Sequence, residues 1–290
     1  MATQNWQDTS HSGLDVSQFI ERLTVVTIGV FDSGVGGLSI LDEALQQLPH
    51  HNYIYFADSA NAPYGDKPPQ WIAERSLQIC RYLVEQDCSA IVVACNTATA
   101  EAIATIRSTL DIPIIGVEPG IKPAAMQSQN GIVGVLATEA TLNSDKFNAL
   151  LATLPEHCQF IKQAGAGLVP LIEAGLIETP EMQALLRSHL KPIQDQGADT
   201  LVLGCTHYPF LKKMIRAVVG DSMTLIDTSD AVVRQLLRQM HQQGLIVSSK
   251  HSPKLSLLST ANADTLEAMA ERLLHRDLSK YAIYTKTLTL

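Results

Sequence analysis

The sequence contains no long apolar run, few basic residues and little proline or glycine, and each shortage excludes a class of protein. No stretch of about 18 consecutive apolar residues occurs, which excludes a membrane-spanning helix. Lys and Arg number 21 against 29 Asp and Glu, without a basic cluster, so neither nucleic acid nor a membrane surface is an expected partner. With 13 prolines, 17 glycines and 46% hydrophobic residues in 290 positions, the composition is that of an ordinary folded protein.

Cysteine is scarce as well, and the number of cysteines is odd. Five cysteines, in a chain long enough to bury one large or two compact cores, do not indicate a disulfide framework. The first residues lack the basic start and the apolar core of an export signal. We therefore expect reduced thiols and a cytoplasmic location.

From Leu23 onward, short β-branched runs alternate with amphipathic helical stretches. LTVVTIGVFDS, NYIYFADS and SAIVVACN contain such runs, and a helical pattern such as LSILDEALQQL follows each of them. Continuous apolar runs of about four to six residues before helices are typical of parallel strands covered on both faces. The sequence therefore predicts an α/β protein with mostly parallel sheets. Residues 1–22 are polar without a sustained period, which indicates an N-terminal extension with a short helix at VSQFIERL.

The pattern restarts in the second half of the chain, and the separations between matching landmarks are nearly equal. The landmark pairs are Gly29 in IGVFDS and Gly134 in VGVLAT, Tyr53 in NYIYF and Gln159 in CQFIK, and Cys95 in VVACNT and Cys205 in LVLGCTH. We therefore expect two similar α/β halves whose equivalent strand ends face one another across a cleft. Ligands bind outside the carboxyl ends of strands in open parallel sheets, so this cleft is the predicted site.

Cys95 and Cys205 point most directly to chemistry. Each follows a buried strand and precedes a helix start, where backbone N–H groups favour the thiolate and lower the thiol pKa. The alternative is that each is a small buried apolar side chain, but two cysteines at equivalent positions of a repeat favour function. Cys80, Cys88 and Cys158 lack that setting, and we assign them to packing or to the surface.

Asp32 and Ser33 end the first strand, in VFDSGVGGLS. The spacing of Gly34, Gly36 and Gly37 fits neither the dinucleotide fingerprint nor the P-loop, which also needs a lysine, so we expect no nucleotide site. A carboxylate at the carboxyl end of a strand can instead orient an ammonium group or assist a neighbouring acid or base. The alternative role of Asp32 is that of a helix N-cap.

His207 lies two residues after Cys205, where an imidazole can pair with the thiol and raise the thiolate fraction. A zinc site is the alternative, but Cys95, Cys205 and His207 lack the usual ligand spacing, so we expect no metal. The turn at residues 62–65 (APYG) follows the second strand, which favours a place beside the same cleft for its amides and the phenol of Tyr64. The simpler interpretation is a turn alone.

Together, FDSGVGGLS, NAPYGDK, VVACNTATA, VLATEATLNS and LVLGCTHYPFL resemble the glutamate racemases of the aspartate/glutamate racemase family. These cofactor-independent enzymes interconvert L- and D-glutamate for bacterial peptidoglycan synthesis. The resemblance spans residues 28–230 in order, and CNT, GCTH and FDSGVGG together are far more specific than any one of them. Aspartate and hydantoin racemases share the two-cysteine plan, but the FDSGVGG and PYG motifs fit the glutamate branch better.

The resemblance implies roles for individual residues. Cys95 and Cys205 would be the two acid/base catalysts, with Cys95 taking the α-proton from D-glutamate and Cys205 taking it from L-glutamate. Asp32 would assist Cys95, and His207 would assist Cys205 with Glu173 behind the histidine. The substrate-holding positions implied in this way are Asp32, Ser33, Tyr64, Gly65, Asn96, Thr97, Thr138, Thr206 and His207.

The resemblance also implies the domain organisation. Two three-layer α/β domains would be related by a pseudo-two-fold, with the active site between them. The C-terminal segment would return to the first domain, which gives residues 23–119 plus 228–290 for the first domain and residues 120–227 for the second.

The chemistry of this reaction agrees with the residue types. The α-proton of an amino acid is very weakly acidic, so an enzyme without an electron-sink cofactor must stabilise the carbanion-like transition state with preorganised donors in a water-poor cleft. Inversion by two thiols needs one charged and one neutral thiol in each direction. The motif segments contain hydroxyls, amides and helix starts but no arginine, so we expect neutral donors to hold the substrate carboxylates.

One segment departs from the family pattern, and three alternatives compete with the racemase. Residues 164–168 read AGAGL where the family often has a Cys-Pro-containing loop.

The N-terminal extension resembles that of enterobacterial-type members, so a UDP-muramyl-alanine precursor is an expected activator. A homodimer is an expected assembly. The alternatives are a related aspartate racemase or isomerase, a Cys/His acyl-transfer enzyme that uses only Cys205, and a non-catalytic two-lobed amino-acid-binding module.

Overall fold

The computed structural model describes residues 26–245 and 252–290. The extension predicted for residues 1–22, with its short helix, lies outside the described residues. The strands are β1 Thr27–Asp32, β2 Asn52–Ala57, β3 Cys88–Val93, β4 Ile114–Gly116, β5 Ile132–Ala137, β6 Gln159–Ala164, β7 Thr200–Gly204, β8 Thr224–Ile226, β9 Lys254–Ser259 and β10 Ala282–Thr287.

Helices connect these strands, as in other parallel sheets. The α-helices are α1 Leu38–Gln47, α2 Pro69–Glu85, α3 Asn96–Thr109, α4 Ile121–Gln127, α5 Glu139–Asn143, α6 Asp145–Leu151, α7 Leu168–Glu173, α8 Pro180–Asp195, α9 Lys212–Val219, α10 Ser229–Gln242 and α11 Ala263–Leu273. Short 3₁₀ turns cover Ser59–Asn61, Tyr64–Asp66 and Tyr208–Leu211. Among the described residues, every helix is too short or too polar to cross a bilayer.

The strands form two parallel sheets with the same topology. The 6-stranded sheet has the order β10-β9-β2-β1-β3-β4, and the 4-stranded sheet has the order β6-β5-β7-β8. The series β2-β1-β3-β4 therefore recurs as β6-β5-β7-β8, and β9 and β10 extend the first sheet beside β2. Cys95 follows β3 and Cys205 follows β7, so the two thiols occupy equivalent positions of the repeat.

Both faces of the six-stranded sheet are covered, which explains the apolar runs of its inner strands. Val30 of β1 belongs to the same core as Leu41 of α1, whereas Phe31 belongs to the core on the other face with Leu83 of α2. Successive side chains of a strand point to opposite faces, so a strand covered on both sides is apolar at every position. The first sheet thus has the predicted three-layer architecture.

The chain crosses between the sheets twice, after β4 and after β8. Beyond the first crossing, Ile121 of α4 shares a core with Val133 of the four-stranded sheet. Beyond the second crossing, α10 packs directly against α1 of the first sheet. The domain boundaries at residues 119/120 and 227/228 stay a prediction, and this packing supports them.

Candidate active site

The candidate site lies where β1, β3 and β7 end, between the two sheets. Asp32 is the last residue of β1, Cys95 follows β3 by two residues, and Cys205 directly follows β7. Asp32 is fully buried, and Cys95 and Cys205 are 6% and 7% exposed. The fold therefore brings one thiol from each sheet and a carboxylate into one water-poor region.

Asp32 is held by the turn that follows its own strand. Its Oδ1 accepts a hydrogen bond from the Ser33 amide at 2.7 Å, and its Oδ2 accepts from the Gly37 amide and, at 3.5 Å, from the Thr206 hydroxyl. Burial raises the pKa of Asp32 from 3.8 to about 6, although His207 opposes the shift. The N-cap residue of α1 is Gly37, so Asp32 supports the helix start from outside it.

Cys95 is the N-cap residue of α3. Its Sγ accepts from the Ala98 amide at 3.4 Å and donates to the Ser33 hydroxyl at 3.7 Å. The predicted lowering of the Cys95 pKa is wrong, because burial, followed by the charge of Asp32, raises that pKa well above its ordinary value. A charge on Cys205 contributes in the same direction, which places the two thiols within electrostatic reach of each other. Cys95 therefore rests as a neutral thiol, the form that delivers a proton.

Cys205 pairs with a histidine and a glutamate. Its Sγ lies 3.6 Å from Nδ1 of His207, and Nε2 of the same ring lies 2.5 Å from Oε1 of Glu173. Burial acts to lower the pKa of His207, but the hydrogen bonds to Cys205 and Glu173 raise it well above 6.5. The imidazole is therefore charged at neutral pH and sits beside the second thiol.

The glycines of the first turn make room for this pair. A Cβ at Gly34 would lie 1.9 Å from Oε1 of Glu173, and a Cβ at Gly36 would lie 2.3 Å from Nδ1 of His207. The Val35 amide of the same turn donates to Oε1 of Glu173 at 2.7 Å. These glycines are visible in the sequence, where they fit no nucleotide motif. The side chains that need the space, Glu173 and His207, come from the other half of the chain.

Other predicted positions meet across the cleft. The hydroxyls of Thr97 and Thr138 lie 3.2 Å apart, and a Cβ at Gly65 would lie 3.7 Å from the Cβ of Thr138. The carbonyl of Thr206 accepts from the Ser39 hydroxyl at 2.8 Å. Sequence reasoning missed Ser39, because a serine inside a helix gives no signal of a contact with a distant segment.

Tyr64 and Asn96 contact the site less directly. Tyr64 is buried, and its hydroxyl donates to Oδ2 of Asp58 at 2.6 Å rather than pointing at a thiol. Asn96 is buried and lines a cavity of about 290 Å³ between α3 and α6. Sequence reasoning missed Asp58 as well.

A cavity of about 420 Å³ opens beside the cleft. Gly65 and Thr138 line it together with Gly165 and Gly167 of the segment that departs from the family pattern. The small residues of that segment leave this space free. Within residues 26–245 and 252–290, no group of three or more His, Cys, Asp or Glu side chains is arranged to hold a metal ion.

The remaining cysteines lie away from the site. Cys80 and Cys88 are buried in the core of the first sheet, and Cys158 is partly exposed. The assignment of these three residues to packing or surface agrees with their positions.

The fold and the site together define a class of protein, in which a buried thiol from each of two parallel α/β sheets reaches the same cleft. Comparison with known proteins gives the family. The model of the Asp/Glu/Hydantoin racemase family matches residues 28–236, and the chain belongs to this family, within which it groups with the glutamate racemases.

Relatives by sequence and by structure agree with this family. The glutamate racemase of Cupriavidus pinatubonensis is 53% identical over 248 residues, which cover 86% of this chain and 91% of the relative. A glutamate racemase isoform of Bacillus anthracis superposes with a TM-score of 0.81 at 30% identity, covering 91% of this chain and 98% of that one. Escherichia coli glutamate racemase was solved with L-glutamate and the activator UDP-MurNAc-Ala. It superposes with a TM-score of 0.79 at 33% identity, covering 91% of this chain and 99% of that one. These comparisons confirm the predicted fold class and family.

Proposed function

We propose that this racemase interconverts L- and D-glutamate by proton transfer between Cys95 and Cys205, and that it supplies D-glutamate for peptidoglycan synthesis. The observation that carries the mechanism is the pair of buried thiols, one from each sheet, each with its own ionisable partner. Asp32 and Ser33 accompany Cys95, and His207 accompanies Cys205. The glutamate racemases among the relatives support the substrate.

The two thiols act on opposite faces of the α-carbon. With L-glutamate, the thiolate of Cys205 takes the α-proton while the neutral thiol of Cys95 gives its proton to the other face. With D-glutamate the roles reverse, and Cys95 must first lose its proton. Ser33 lies between Cys95 and the carboxylate of Asp32, so it offers a path for that proton. On the other side, the charged imidazole of His207 can exchange a proton with Cys205.

Preorganised donors stabilise the charge that develops on the substrate. The start of α3 and the hydroxyls of the cleft are fixed by the fold before substrate binds, so they need no reorganisation during the reaction. The proposed substrate-holding residues are Asp32, Ser33, Tyr64, Gly65, Asn96, Thr97, Thr138, Thr206 and His207. Apart from His207 none of them is cationic, which supports recognition of the carboxylates by neutral donors.

Isotope exchange tests the proposal. Purified protein with either glutamate enantiomer in D₂O, without added cofactor, should incorporate deuterium at Cα and approach a racemic mixture, measured by NMR and chiral chromatography. No exchange with either enantiomer would remove the racemase function. Faster turnover of aspartate than of glutamate would move the chain to the aspartate alternative.

Three cysteine variants sharpen this test. Cys95→Ser and Cys205→Ser should each lower racemisation by about 10²- to 10⁴-fold, since each removes one acid/base group. Each variant should keep at most the exchange of the enantiomer that its remaining thiol faces. Cys158 is partly exposed and lies outside the cleft, so the Cys158→Ser variant should racemise glutamate at the wild-type rate. Substantial inversion by either cleft variant would contradict the two-thiol mechanism.

We also propose that a UDP-muramyl-alanine precursor activates the enzyme. The similarity to the Escherichia coli structure with its activator supports this proposal. Racemisation should be faster with the precursor than without it, and equal rates would contradict activation. A homodimer and a cytoplasmic location stay predictions, which sedimentation and cell fractionation can check.

A further inference from the structure

Asp58 is a buried carboxylate that the mechanism above does not use. It directly follows β2, its amide donates to the carbonyl of Asp32 at 3.0 Å, and it is fully buried. It therefore lies beside the strand end that carries the catalytic carboxylate, although its own side chain is bound elsewhere.

The side chain of Asp58 is surrounded by donors. Arg75 of α2 approaches with two nitrogens, at 2.9 Å from Oδ2 and 2.7 Å from Oδ1. Tyr64 donates to Oδ2 at 2.6 Å, and Asn61 donates at 3.1 Å. Thr260, which follows β9, donates to Oδ1 at 2.9 Å.

This set of donors keeps Asp58 ionised. Burial acts to raise the pKa of Asp58, but the hydrogen bonds from Arg75, Tyr64 and Asn61 hold it below its ordinary 3.8. A bidentate arginine and a short phenol contact are charge-assisted hydrogen bonds, which are stronger than neutral ones. The negative charge of Asp58 thus strengthens its hydrogen bonds with the surrounding side chains.

Those links fix one wall of the cleft, the loop of residues 59–66, called here the cleft loop. The hydroxyl of Thr260 also accepts from the Ala60 amide at 3.1 Å, so the start of the loop is tied to the same cluster as Tyr64 near its end. The ring of Tyr64 packs on Phe31, at 6.2 Å between centroids, and on Trp71, at 5.4 Å. The next residue, Gly65, is the one that faces Thr138 of the second sheet.

We propose that Asp58 and Arg75 are positioning residues of the racemase, which act through Tyr64 to hold the cleft loop against the second sheet. The proposal rests on the function proposed above. Because the loop lines the cleft and carries neither a thiol nor an acid/base partner of a thiol, we expect its displacement to weaken substrate and transition-state binding equally. Such a change raises KM and leaves kcat nearly constant.

Steady-state kinetics of four variants test this role. Tyr64→Phe and Asp58→Asn should each raise KM for both enantiomers about tenfold, the range expected for hydrogen bonds to a charged group, and change kcat by less than about threefold. The double variant should have a KM no higher than that of the worse single variant, because both changes break the same link.

Asp199→Asn is the matched control. Asp199 also accepts four hydrogen bonds, from Ser128, Gln129, Asn130 and Thr200, but it lies at the amino end of β7, at the far edge of the sheet. This variant should lower the melting temperature and keep both kinetic constants.

The outcomes separate the two proposals. Wild-type protein without racemisation would remove the proposed function. Wild-type turnover with an unchanged KM in Tyr64→Phe would overturn the positioning role, and additive effects in the double variant would overturn the route through Tyr64. If Asp58→Asn does not fold, Arg75→Lys, which keeps the charge and loses the bidentate geometry, replaces it in the same cycle.

Discussion

Asp32 and His207 show how single residues are tuned by their surroundings. Burial raises the pKa of Asp32 to about 6, and pairing with Cys205 and Glu173 raises the pKa of His207 above its ordinary value against the effect of burial. Near neutral pH both groups are therefore charged, although both are buried. An ionised buried carboxylate costs stability, which is a common feature of functional sites.

The cost of the Asp32 charge predicts a pH dependence of stability. A carboxyl whose pKa rises from 3.8 to about 6 on folding stabilises the fold below pH 3.8, and this contribution is lost as the pH rises through 6. The free energy of unfolding of Asp32→Asn, relative to the wild type, should therefore increase by about 2 kcal/mol between pH 4 and 7. Urea unfolding at several pH values measures this difference. Asp199→Asn should show no such increase, and a flat difference for Asp32→Asn would contradict a raised pKa.

The residues at the strand ends could be located from sequence, whereas their partners could not. Asp32, Cys95 and Cys205 follow apolar runs, so their position at one edge of a sheet follows from the pattern alone. The Val35 amide and Asp58 contribute through contacts between segments far apart in the chain. No local periodicity encodes such contacts, and the pKa of Cys95 depends on the same unseen burial.

The turn between β1 and α1 is the element on which the site depends most. Its amides hold Asp32 and Glu173, and its glycines leave space for side chains of the other sheet. A turn that reaches two acid/base groups at once must lack Cβ atoms where those groups approach.

Gly36→Ala should therefore damage catalysis more than stability. The added Cβ would lie 2.3 Å from Nδ1 of His207 and 2.8 Å from Oδ2 of Asp32, so we expect a fall in kcat of about 10²-fold, as for misplaced catalytic groups. Steady-state kinetics with both enantiomers measures the fall. Gly197→Ala is the control, since Gly197 has a φ of 76° but nothing within 4 Å; it should lower the melting temperature and keep kcat. Equal kinetic effects in the two variants would contradict the steric argument.

The inner strands of the first sheet could be predicted from the sequence, whereas its edge strand β10 could not. β1, β2 and β3 are apolar on both faces, whereas β10 (AIYTKT) is exposed along most of its length at the edge of the sheet. An edge strand that packs little apolar surface lacks the apolar run by which buried strands are recognised.

At the scale of the whole molecule, hydrogen bonds across the cleft join the two sheets, and three of them lie close to the thiols. Glu173 accepts from the Val35 amide, Ser39 donates to the Thr206 carbonyl, and the hydroxyls of Thr97 and Thr138 meet. Each contact joins the first sheet to the second. Because both thiols are almost fully buried in this state, their reaction with a reagent in solution reports on opening.

Thr97→Val should open the cleft more often. Loss of one hydrogen bond of about 1 kcal/mol should speed alkylation of Cys95 and Cys205 by iodoacetamide about fivefold. Peptide mapping by mass spectrometry measures all cysteines in one sample, and the partly exposed Cys158 serves as an internal control with an unchanged rate. Unchanged alkylation of both cleft thiols would contradict a role of this contact in closure.

The two crossings of the chain between the sheets have a consequence for turnover. A Cβ at Gly120, in the first crossing, would lie 3.0 Å from Ile226 at the end of β8 and 3.1 Å from Thr228 in the second crossing, so the two segments pack side by side. Within residues 26–245, these two segments are the covalent links between the sheets. A motion that separates the thiols is therefore expected to use them as its hinge. We therefore expect a bulkier residue at position 120 to lengthen the residence time of the product in the cleft and to leave the rate of proton transfer unchanged.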